Sequence, residues 1–406
     1  MKPNIDYIPT DLQHRSHYLD KAKPFIGKGL IKVFTGQRRV GKSYLMFQLM
    51  TVILKENKTS HICYINKEDL AFDFIKTGKD LNDYVLSQKK GKTYVFIDEI
   101  QDIDGFESAL RSLLLDKDLD IYCTGSNANL LSSDIAGHLS GRYIEIVVYS
   151  LSYLEFLQFH ALDNTTESIE KYMKYGGLPY LKHLPLNDDV AFEYLKNIYN
   201  TIVYKDIINR YEVRNVRFLE QLVLFLANNT GSLFSGKKIS DYLKSQKINI
   251  GTNQVLTYID YLVNAFIIHK VSRYDIIGKR LFETGEKYYF ENLGIRNGIW
   301  GFRLEDRGKI LENMVYNHLL FCGYKVSIGS LSKEEIDFVC EKNGEMLYIQ
   351  VALTIQNENT LEREFGNLTK INDNYPKWVI TMDESNTSSY KGIIHKNVKN
   401  FLSEII

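Results

Sequence analysis

The sequence predicts an α/β protein that begins with a mainly parallel sheet and ends in a second α/β unit. Three observations predict this class. Short apolar strands alternate with amphipathic helical stretches up to about residue 149, helical patterns dominate from residue 151 to about 217, and alternating strands return after residue 309. The apolar share of 44% and the charged share of 25% are those of a folded chain with buried cores.

The first 150 residues contain five strand patterns separated by helices: IKVF (31–34), HICYI (61–65), YVFID (94–98), DIYCTG (120–125) and YIEIVV (143–148). This alternation predicts βαβ units with right-handed crossovers. In such sheets the functional loops follow the carboxyl ends of the strands. We therefore look for chemistry directly after each strand.

The rest of the chain divides at soft boundaries, since no Pro- or Ser-rich linker separates its parts. Residues 151–217 are helical with a break at GGLP (176–179), and two short amphipathic helices at 239–246 and 252–262 precede the strand FIIHKVSRYD. A helix, ENMVYNHLLFCGY, then leads into the strands KVSIG, EIDFVC and EMLYIQVAL. We assign four domains or segments: 1–150, 151–217, 218–303 and 304–406.

The bulk properties exclude several function classes. A formal net charge of zero argues against a chain whose overall field attracts nucleic acid or membranes, although it does not exclude local patches. Four scattered cysteines without CxxC spacing predict reduced, packed thiols. The N-terminal sequence has no apolar h-region, and no run approaches the roughly 18 apolar residues of a membrane span. These features predict a cytoplasmic protein.

The strongest motif is GQRRVGKS at 36–43, which fits GxxxxGK[ST] between an apolar strand and a helix. The glycines let successive N–H groups face phosphate oxygens at the start of the helix. The lysine would reach the β- and γ-phosphates, and the serine hydroxyl would coordinate Mg²⁺. We assign nucleotide binding to nine successive residues: Gly36, Gln37, Arg38, Arg39, Val40, Gly41, Lys42, Ser43 and Tyr44.

A second signal is the strand YVFID followed by glutamate, which delivers two carboxylates to the same edge of the sheet. Asp98 would hold Mg²⁺ through water, together with Ser43, and Glu99 would orient and polarise the attacking water. Acidic pairs after strands also serve as plain helix caps. Here the acidic pair lies one strand-helix interval after a phosphate loop, and this position favours the catalytic interpretation.

Two further candidates stay open between roles. In CTGSNANLL, Ser126 or Asn127 could bond the γ-phosphate or the attacking water, or merely cap the next helix. Arg142 precedes the fifth strand and could supply an arginine finger, in the same subunit or to a neighbour, or serve as a structural arginine.

These residues resemble the prokaryotic ATPases of the AAA+ superfamily whose AAA module precedes a poorly characterised C-terminal region. FTGQRRVGKSYL, YVFIDEIQDIDGFESALRSLL and IYCTGSNANLLSSDIAGHLSGRYIEI carry the resemblance, which continues through GGLPYL, IVYKDIINRYEVRN and YYFENLGIRN. It implies nucleotide-binding Gly36, Lys42 and Ser43, a metal-linked Asp98, a catalytic Glu99 and a sensor at Ser126 or Asn127. It also implies a helical segment leading into a winged helix.

The same family usually carries a C-terminal fold similar to restriction endonucleases. Here the corresponding residues would be Glu312 on a helix, Asp337 in EEIDFV, and IQVAL (349–353). The last segment departs from the family pattern, because Gln350 replaces an acid and Ala352 replaces a lysine. We therefore predict a nuclease-like fold without nuclease activity, unless a lysine enters from elsewhere, for which the candidates are Lys333, Lys342 and Lys370.

Two classes of partner remain open beside ATP and Mg²⁺. Residues 196–309 hold 18 Lys and Arg against 11 Asp and Glu, an excess that would contact several phosphates if clustered. The contributors would be Lys237, Lys238, Lys244, Lys247, Lys270, Arg273, Lys279 and Arg280. A winged helix can instead grip a protein partner. Arg142 in a neighbouring subunit would require a homo-oligomer.

Overall fold

The computed structural model describes residues 7–131, 139, 141–246, 250–332, 334–356, 358–384 and 388–404. Lys247 and Lys333, both named above, lie outside these ranges. The chain forms two compact units, one of residues 1–149 with 264–266, the other of residues 150–263 and 267–406. Within the described ranges no helix has the length and apolar character needed to cross a membrane. The four cysteines are free and buried, as predicted.

The first unit is built on a five-stranded parallel sheet whose strands are β1 (Ile31–Thr35), β2 (His61–Asn66), β3 (Thr93–Asp98), β4 (Leu119–Gly125) and β5 (Tyr143–Val147). Their order is β2-β3-β4-β1-β5, and every pairing is parallel. All five coincide with the predicted strands to within one residue at either end. The predicted P-loop-type α/β fold is confirmed.

In the described part of the first unit, four helices accompany this sheet: α1 (Ser16–Ala22), α2 (Lys42–Glu56), α3 (Gly78–Gln88) and α4 (Phe106–Leu113). Strands β1 and β4 are buried at every position, as expected where helices cover both faces of a parallel sheet. Burial extends to Lys32, whose ammonium lies 2.6 Å from a carboxylate oxygen of Asp120. The central strands are therefore fixed by apolar packing and by one internal ion pair.

The helices of the second unit begin with α5 (Tyr153–His160), α6 (Thr166–Tyr175), α7 (Asp188–Thr201), a π-helix (Ile202–Asn209) and α8 (Val216–Asn228). The two predicted short helices follow as α9 (Gly236–Ser245) and α10 (Thr252–Asn264), and α11 is Leu293–Trp300. Two helices followed by a β hairpin is the order that a winged helix requires. The winged-helix assignment itself stays a prediction.

A nine-stranded mixed sheet runs through the second unit. Its strands are β6 (Leu233–Phe234), β7 (Ile268–Asp275), β8 (Arg280–Phe290), β9 (Lys325–Leu331), β10 (Glu334–Lys342), β11 (Glu345–Val351), β12 (Lys377–Thr381), β13 (Ser388–Tyr390) and β14 (Ile393–Asn397). Their order is β13-β14-β12-β11-β10-β9-β7-β8-β6. Strand β7 pairs with β9 through Arg273–Asp275, so the sheet continues across the boundary that we predicted at residue 303. The segments 218–303 and 304–406 share this sheet.

Helix α12 (Arg307–Phe321) packs against this sheet, while α13 (Glu358–Thr369) and α14 (Val398–Ser403) complete the unit. Ile310 and Met314 of α12 belong to the same buried cluster as Phe338 of β10 and Ile349 of β11. This packing positions the polar residues of α12 beside those of the neighbouring strands. Glu312 is one of them.

Candidate functional site

The phosphate loop connects the end of β1 to the start of α2, as its motif predicts. Gly36 and Gly41 have φ values of 144° and 96°, in the region that favours glycine. A Cβ atom at position 36 would lie 2.1 Å from the carbonyl oxygen of Val148. A larger residue at position 36 would have to displace the backbone of Val148, directly after β5, so the loop conformation depends on this glycine.

Lys42 is buried at the first position of α2. Its ammonium donates hydrogen bonds to the carbonyl oxygens of Gly36 at 2.8 Å and Gln37 at 2.9 Å. The positive charge is thus held against the loop, where the loop N–H groups and the helix dipole also favour an anion. The Gln37 side chain donates to the carbonyl of Phe266, which is part of the first unit.

The remaining loop residues differ in exposure. Arg38 and Val40 are buried, whereas Arg39 is exposed and Tyr44 is 50% exposed on the first turn of α2. Arg38 pairs with Glu68, with 3.1 Å between its guanidinium nitrogen and the carboxylate oxygen. The assignment of phosphate contacts to individual loop side chains stays a prediction.

Asp98 ends β3 and lies beside the start of α2. Its carboxylate accepts hydrogen bonds from the hydroxyls of Thr124 and Ser43. Burial raises the pKa of Asp98, and these two hydrogen bonds only partly oppose that effect. Mg²⁺ prefers oxygen ligands and commonly uses few protein groups beside phosphate oxygens and water. Ser43 and Asp98 therefore fit a magnesium ion bound together with a nucleotide.

Glu99 follows Asp98 with a φ of 57°, a left-handed conformation that costs a non-glycine residue about 1 kcal/mol. Its backbone N–H donates to the Thr124 hydroxyl at 2.9 Å, which holds this conformation. Burial opposes ionisation of the carboxyl, but the charges of Lys42 and Arg38 outweigh it, and the pKa of Glu99 lies below its usual range. Glu99 is therefore a buried, ionised carboxylate at neutral pH.

The two sensor candidates occupy different environments. Ser126 is fully buried and forms a hydrogen bond with Glu99. The Asn127 side chain accepts a hydrogen bond from the N–H of Asn129 at 2.7 Å, which is the capping arrangement that we considered. The Ser126 side chain therefore contacts the Glu99 carboxylate, whereas the Asn127 side-chain oxygen accepts a hydrogen bond within a turn.

Arg142 is not part of this constellation. Its carbonyl accepts the hydrogen bond of the Ile31 N–H at the start of β1, whereas the phosphate loop follows the end of that strand. Five residues of extended chain separate the two edges by roughly 16 Å. The same-subunit version of the arginine finger is therefore wrong, because a parallel strand carries the residue before it to the opposite edge.

Three residues of the site were missed in the sequence. Thr124 bridges Asp98 and Glu99, and the Gln101 side chain donates to the carboxylate of Glu99 and lies 3.4 Å from the Ser126 hydroxyl. Arg15, from the segment before α1, donates to the carbonyl of Val40 at 2.9 Å. Gln101 could have been found from its place in DEIQ, whereas Arg15 has no local signal because its contact spans 25 residues.

Comparison with known proteins agrees with this geometry. A family model described as an AAA domain matches residues 28–157, and a domain of unknown function, DUF8612, matches residues 166–306. An uncharacterized protein of Haemophilus influenzae is 37% identical over 90% of this chain and 92% of its own length. The chain belongs to the same family as this Haemophilus protein, and its residues 28–157 form an AAA+ superfamily domain. We call residues 28–157 the AAA module.

A second relative, an uncharacterized protein of Methanocaldococcus jannaschii, is 30% identical over 82% of this chain and 77% of its own. Among solved structures, the replication initiator DnaA bound to AMPPCP and single-stranded DNA is 16% identical and covers 64% of this chain and 91% of that one. Its TM-score is 0.32. Similarity at that level bears on neither the chemistry nor the partner of this protein.

Beyond the AAA module, the predicted nuclease-like residues gather around a lysine that we did not predict. The ammonium of Lys287, on β8, lies 2.9 Å from Glu312, 2.7 Å from Glu335 and 3.9 Å from Asp337. Burial alone would lower the pKa of Lys287, but the three carboxylates outweigh it and raise that pKa. Burial and the charge of Glu312 raise the pKa of Asp337 well above its usual value.

The lysines that we considered for this place lie elsewhere. Lys342 sits over the ring of Tyr324, and Lys370 pairs with Glu334. Gln350 is also occupied, because its side chain accepts from the Asp337 N–H at 2.6 Å and donates to Glu364 at 2.8 Å. In the described part of the chain, no three His, Cys, Asp or Glu side chains form a group able to hold a metal ion.

The basic residues of the middle region are partly neutralised. Three of them pair with acids of the same region: Lys244 with Asp241, Lys270 with Glu286 and Arg280 with Asp275. Arg273 donates to the Ser330 hydroxyl. Lys237 and Lys238 are exposed in the first turn of α9, and Lys279 is exposed between β7 and β8.

Proposed function

We propose that this protein binds ATP with Mg²⁺ and hydrolyses it to ADP and phosphate. The observation that carries the proposal is the meeting of Lys42, Ser43, Asp98 and Glu99 at one edge of the parallel sheet. Of these four, Lys42 supplies positive charge for an anion, and Ser43 and Asp98 supply oxygen ligands for a cation. Glu99 supplies an ionised carboxylate that we do not assign to the metal.

Each residue then has one task in the reaction. The loop N–H groups and Lys42 bind the β- and γ-phosphates. Ser43 and Asp98 would hold Mg²⁺, which would supply positive charge to neutralise the phosphate oxygens. Glu99 accepts a hydrogen bond from water and takes its proton as the water oxygen bonds to the γ-phosphorus and the β–γ bridging bond breaks. Gln101 and Ser126 keep the Glu99 carboxylate in place through their hydrogen bonds.

The magnesium assignment can be tested through Ser43. Ser43→Ala should raise the Mg²⁺ concentration for half-maximal phosphate release at least ~10-fold, because one oxygen ligand is lost. Ser87→Ala, an exposed serine on α3, is the matched control and should leave the Mg²⁺ curve unchanged. An unshifted Mg²⁺ curve in Ser43→Ala would remove Ser43 from the metal site.

We further propose that nucleotide state governs how the second unit engages DNA. The exposed Lys237, Lys238 and Lys279 support phosphate contact, because exposed cations release counterions when they neutralise a nucleic-acid backbone. The alternative is a switch that grips a protein partner. Three ion pairs within the same region favour it, since a charge already paired is less available to phosphate.

Salt dependence separates these two partners. If DNA is the partner, the logarithm of the DNA-binding constant should fall linearly with the logarithm of salt concentration. Lys237→Ala with Lys238→Ala should then reduce that slope by about two. The phosphate-release rate should also change when DNA is added. Absence of salt-sensitive DNA binding, with nucleotide-dependent capture of a defined protein, would favour the alternative.

For Arg142 we propose action across a subunit interface, a role supported by its position before β5, at the edge opposite to the phosphate loop. Phosphate release per subunit should then rise with protein concentration as oligomers form. Mixing Arg142→Ala with Lys42→Ala subunits should partly restore turnover, because hybrid interfaces join an intact loop to an intact arginine. A rate per subunit that stays flat from monomer to oligomer would exclude this role.

For the second unit we propose no nuclease activity. Metal-dependent cleavage needs carboxylates that are open to a cation, whereas those around Lys287 already surround an ammonium and Gln350 adds no charge. Plasmid and linear DNA should therefore stay intact in Mg²⁺ or Mn²⁺, with or without ATP. Cleavage that disappears in Asp337→Ala but persists in Lys42→Ala would show that the cluster is catalytic.

A further inference from the structure

Arg38 of the phosphate loop has no role in the reaction described above, although it is buried and the neighbouring Arg39 is not. Arg38 is the third residue of the loop, and its side chain is only 10% exposed. Arg39, the next residue, is exposed. A guanidinium is seldom buried without a purpose, because removing it from water is costly unless it is paired. The burial of the Arg38 charge therefore indicates a specific partner or function.

Arg38 interacts with two carboxylates of different character, one through an ion pair and one through its charge. Its guanidinium nitrogen is 3.1 Å from Glu68, whose side chain is 48% exposed after β2. It also acts electrostatically on the buried Glu99, which is one cause of the lowered pKa of that carboxyl. The charge of Arg38 therefore acts on the carboxylate that would orient water. Its ion pair with Glu68 involves a half-exposed carboxylate, so solvent can replace that pair at little cost.

An arginine within the subunit would add to any charge that a neighbouring subunit supplies. Negative charge on the transferring phosphoryl group is stabilised by arginine in related chemistry, with effects of roughly 10³ to 10⁵ on turnover. Arg142 cannot supply that charge to its own site, because it lies at the opposite edge of the sheet. Lys42 is assigned to binding the β- and γ-phosphates, so we look for a second cation near the γ-phosphate.

We propose that Arg38 is a catalytic arginine that contacts the γ-phosphate of ATP in its own subunit, and that Glu68 holds it until the nucleotide binds. This inference rests on the proposed ATPase function. Arg38 donates hydrogen bonds to an oxygen of the transferring phosphoryl group and keeps its proton throughout, since guanidinium is not deprotonated in proteins. The bonds that form and break are those already described, with the water proton passing to Glu99.

A contact between Arg38 and the γ-phosphate should affect nucleotide binding as well as turnover. Arg38→Gln should lower the turnover number at least ~100-fold. It should weaken ATP binding several-fold and leave ADP binding unchanged, because ADP has no γ-phosphate. Arg38→Lys should recover only part of the rate, since lysine lacks the planar fork of donors. Arg111→Gln, an exposed arginine on α4, is the matched control with wild-type behaviour expected.

The experiment measures phosphate release, and the affinities for ATP and ADP by calorimetry, in the full chain with each substitution. The loss in Arg38→Gln should be the same at low and high protein concentration, because the residue acts within its own subunit, whereas the loss in Arg142→Ala should appear only where oligomers form. Turnover by Arg38→Gln within about threefold of wild type would overturn the proposal. Equal weakening of ATP and ADP would also overturn it, since a loop-shaping residue affects both.

Failure of this proposal is distinguishable from failure of the ATPase assignment. If the wild-type protein binds ATP without hydrolysing it, the ATPase assignment fails, and the ATP-to-ADP affinity ratio of Arg38→Gln still decides whether Arg38 contacts the γ-phosphate. If the wild-type protein binds neither nucleotide, both proposals are wrong. Glu68→Gln should tighten ATP binding by about two- to fivefold, because it weakens the ion pair that competes with the γ-phosphate.

Discussion

Glu99→Gln should slow ATP turnover at least ~100-fold while leaving ATP binding intact. The substitution keeps the shape of the side chain but removes the charge that polarises water. Because the pKa of Glu99 lies below its usual range, the wild-type residue is ionised at neutral pH and the loss is complete there. Phosphate release and nucleotide affinity, measured on the same preparation, separate the two effects.

Lys42→Ala is the companion variant with the opposite pattern. It should weaken ATP binding and abolish hydrolysis, because the ammonium held against the carbonyls of Gly36 and Gln37 is lost. Gln88→Ala, at the exposed end of α3, should match the wild type in both measurements. Hydrolysis by Glu99→Gln at the wild-type rate would show that another group activates the water.

Lys287→Met should destabilise the second unit by about 3 to 5 kcal/mol, the usual cost of removing one partner from a buried ion pair. The substitution leaves Glu312, Glu335 and Asp337 facing each other without their ammonium. Both tryptophans, Trp300 and Trp378, lie in the second unit. Urea unfolding followed by tryptophan fluorescence therefore reports on the affected part of the chain.

The destabilisation should depend on pH in a defined direction. Burial and the charge of Glu312 already raise the pKa of Asp337, and loss of the ammonium raises it further, so raising pH through the folded pKa of Asp337 removes stability. The difference from wild type should thus be largest near neutral pH and smaller in acid. Lys270→Met, which breaks a partly exposed pair with Glu286, should cost about 1 kcal/mol. A Lys287→Met protein as stable as Lys270→Met would contradict this account.

The first unit was predictable because its information is local in sequence. GQRRVGKS fixes a strand, a turn and a helix within a few residues, and YVFID ends in the carboxylate that the magnesium site requires. Parallel pairing then brings the ends of β1 and β3 to one edge without further assumption. The pairing of Ser43 with Asp98 follows from these two rules.

Residues whose roles depend on distant contacts could not be predicted. The sequence did not indicate that Lys287 contacts Glu312 and Asp337, because Lys287 lies on β8 and the predicted module began at residue 304. Its strand had been assigned to a different domain, although one sheet joins both segments. The same-subunit role of Arg142, by contrast, could have been rejected from the sequence. In the predicted parallel sheet, a residue that precedes a strand lies at the edge opposite to the phosphate loop.

The most direct test of the nucleotide site is a single-turnover assay with enzyme in excess over ATP labelled at the γ-phosphate, in Mg²⁺. We expect the wild-type protein to convert the bound label to phosphate in a first-order reaction. Glu99→Gln should retain the bound label as intact ATP over the same period. Wild-type protein that binds the label and leaves it intact, or Glu99→Gln that releases phosphate at the wild-type rate, would contradict the account.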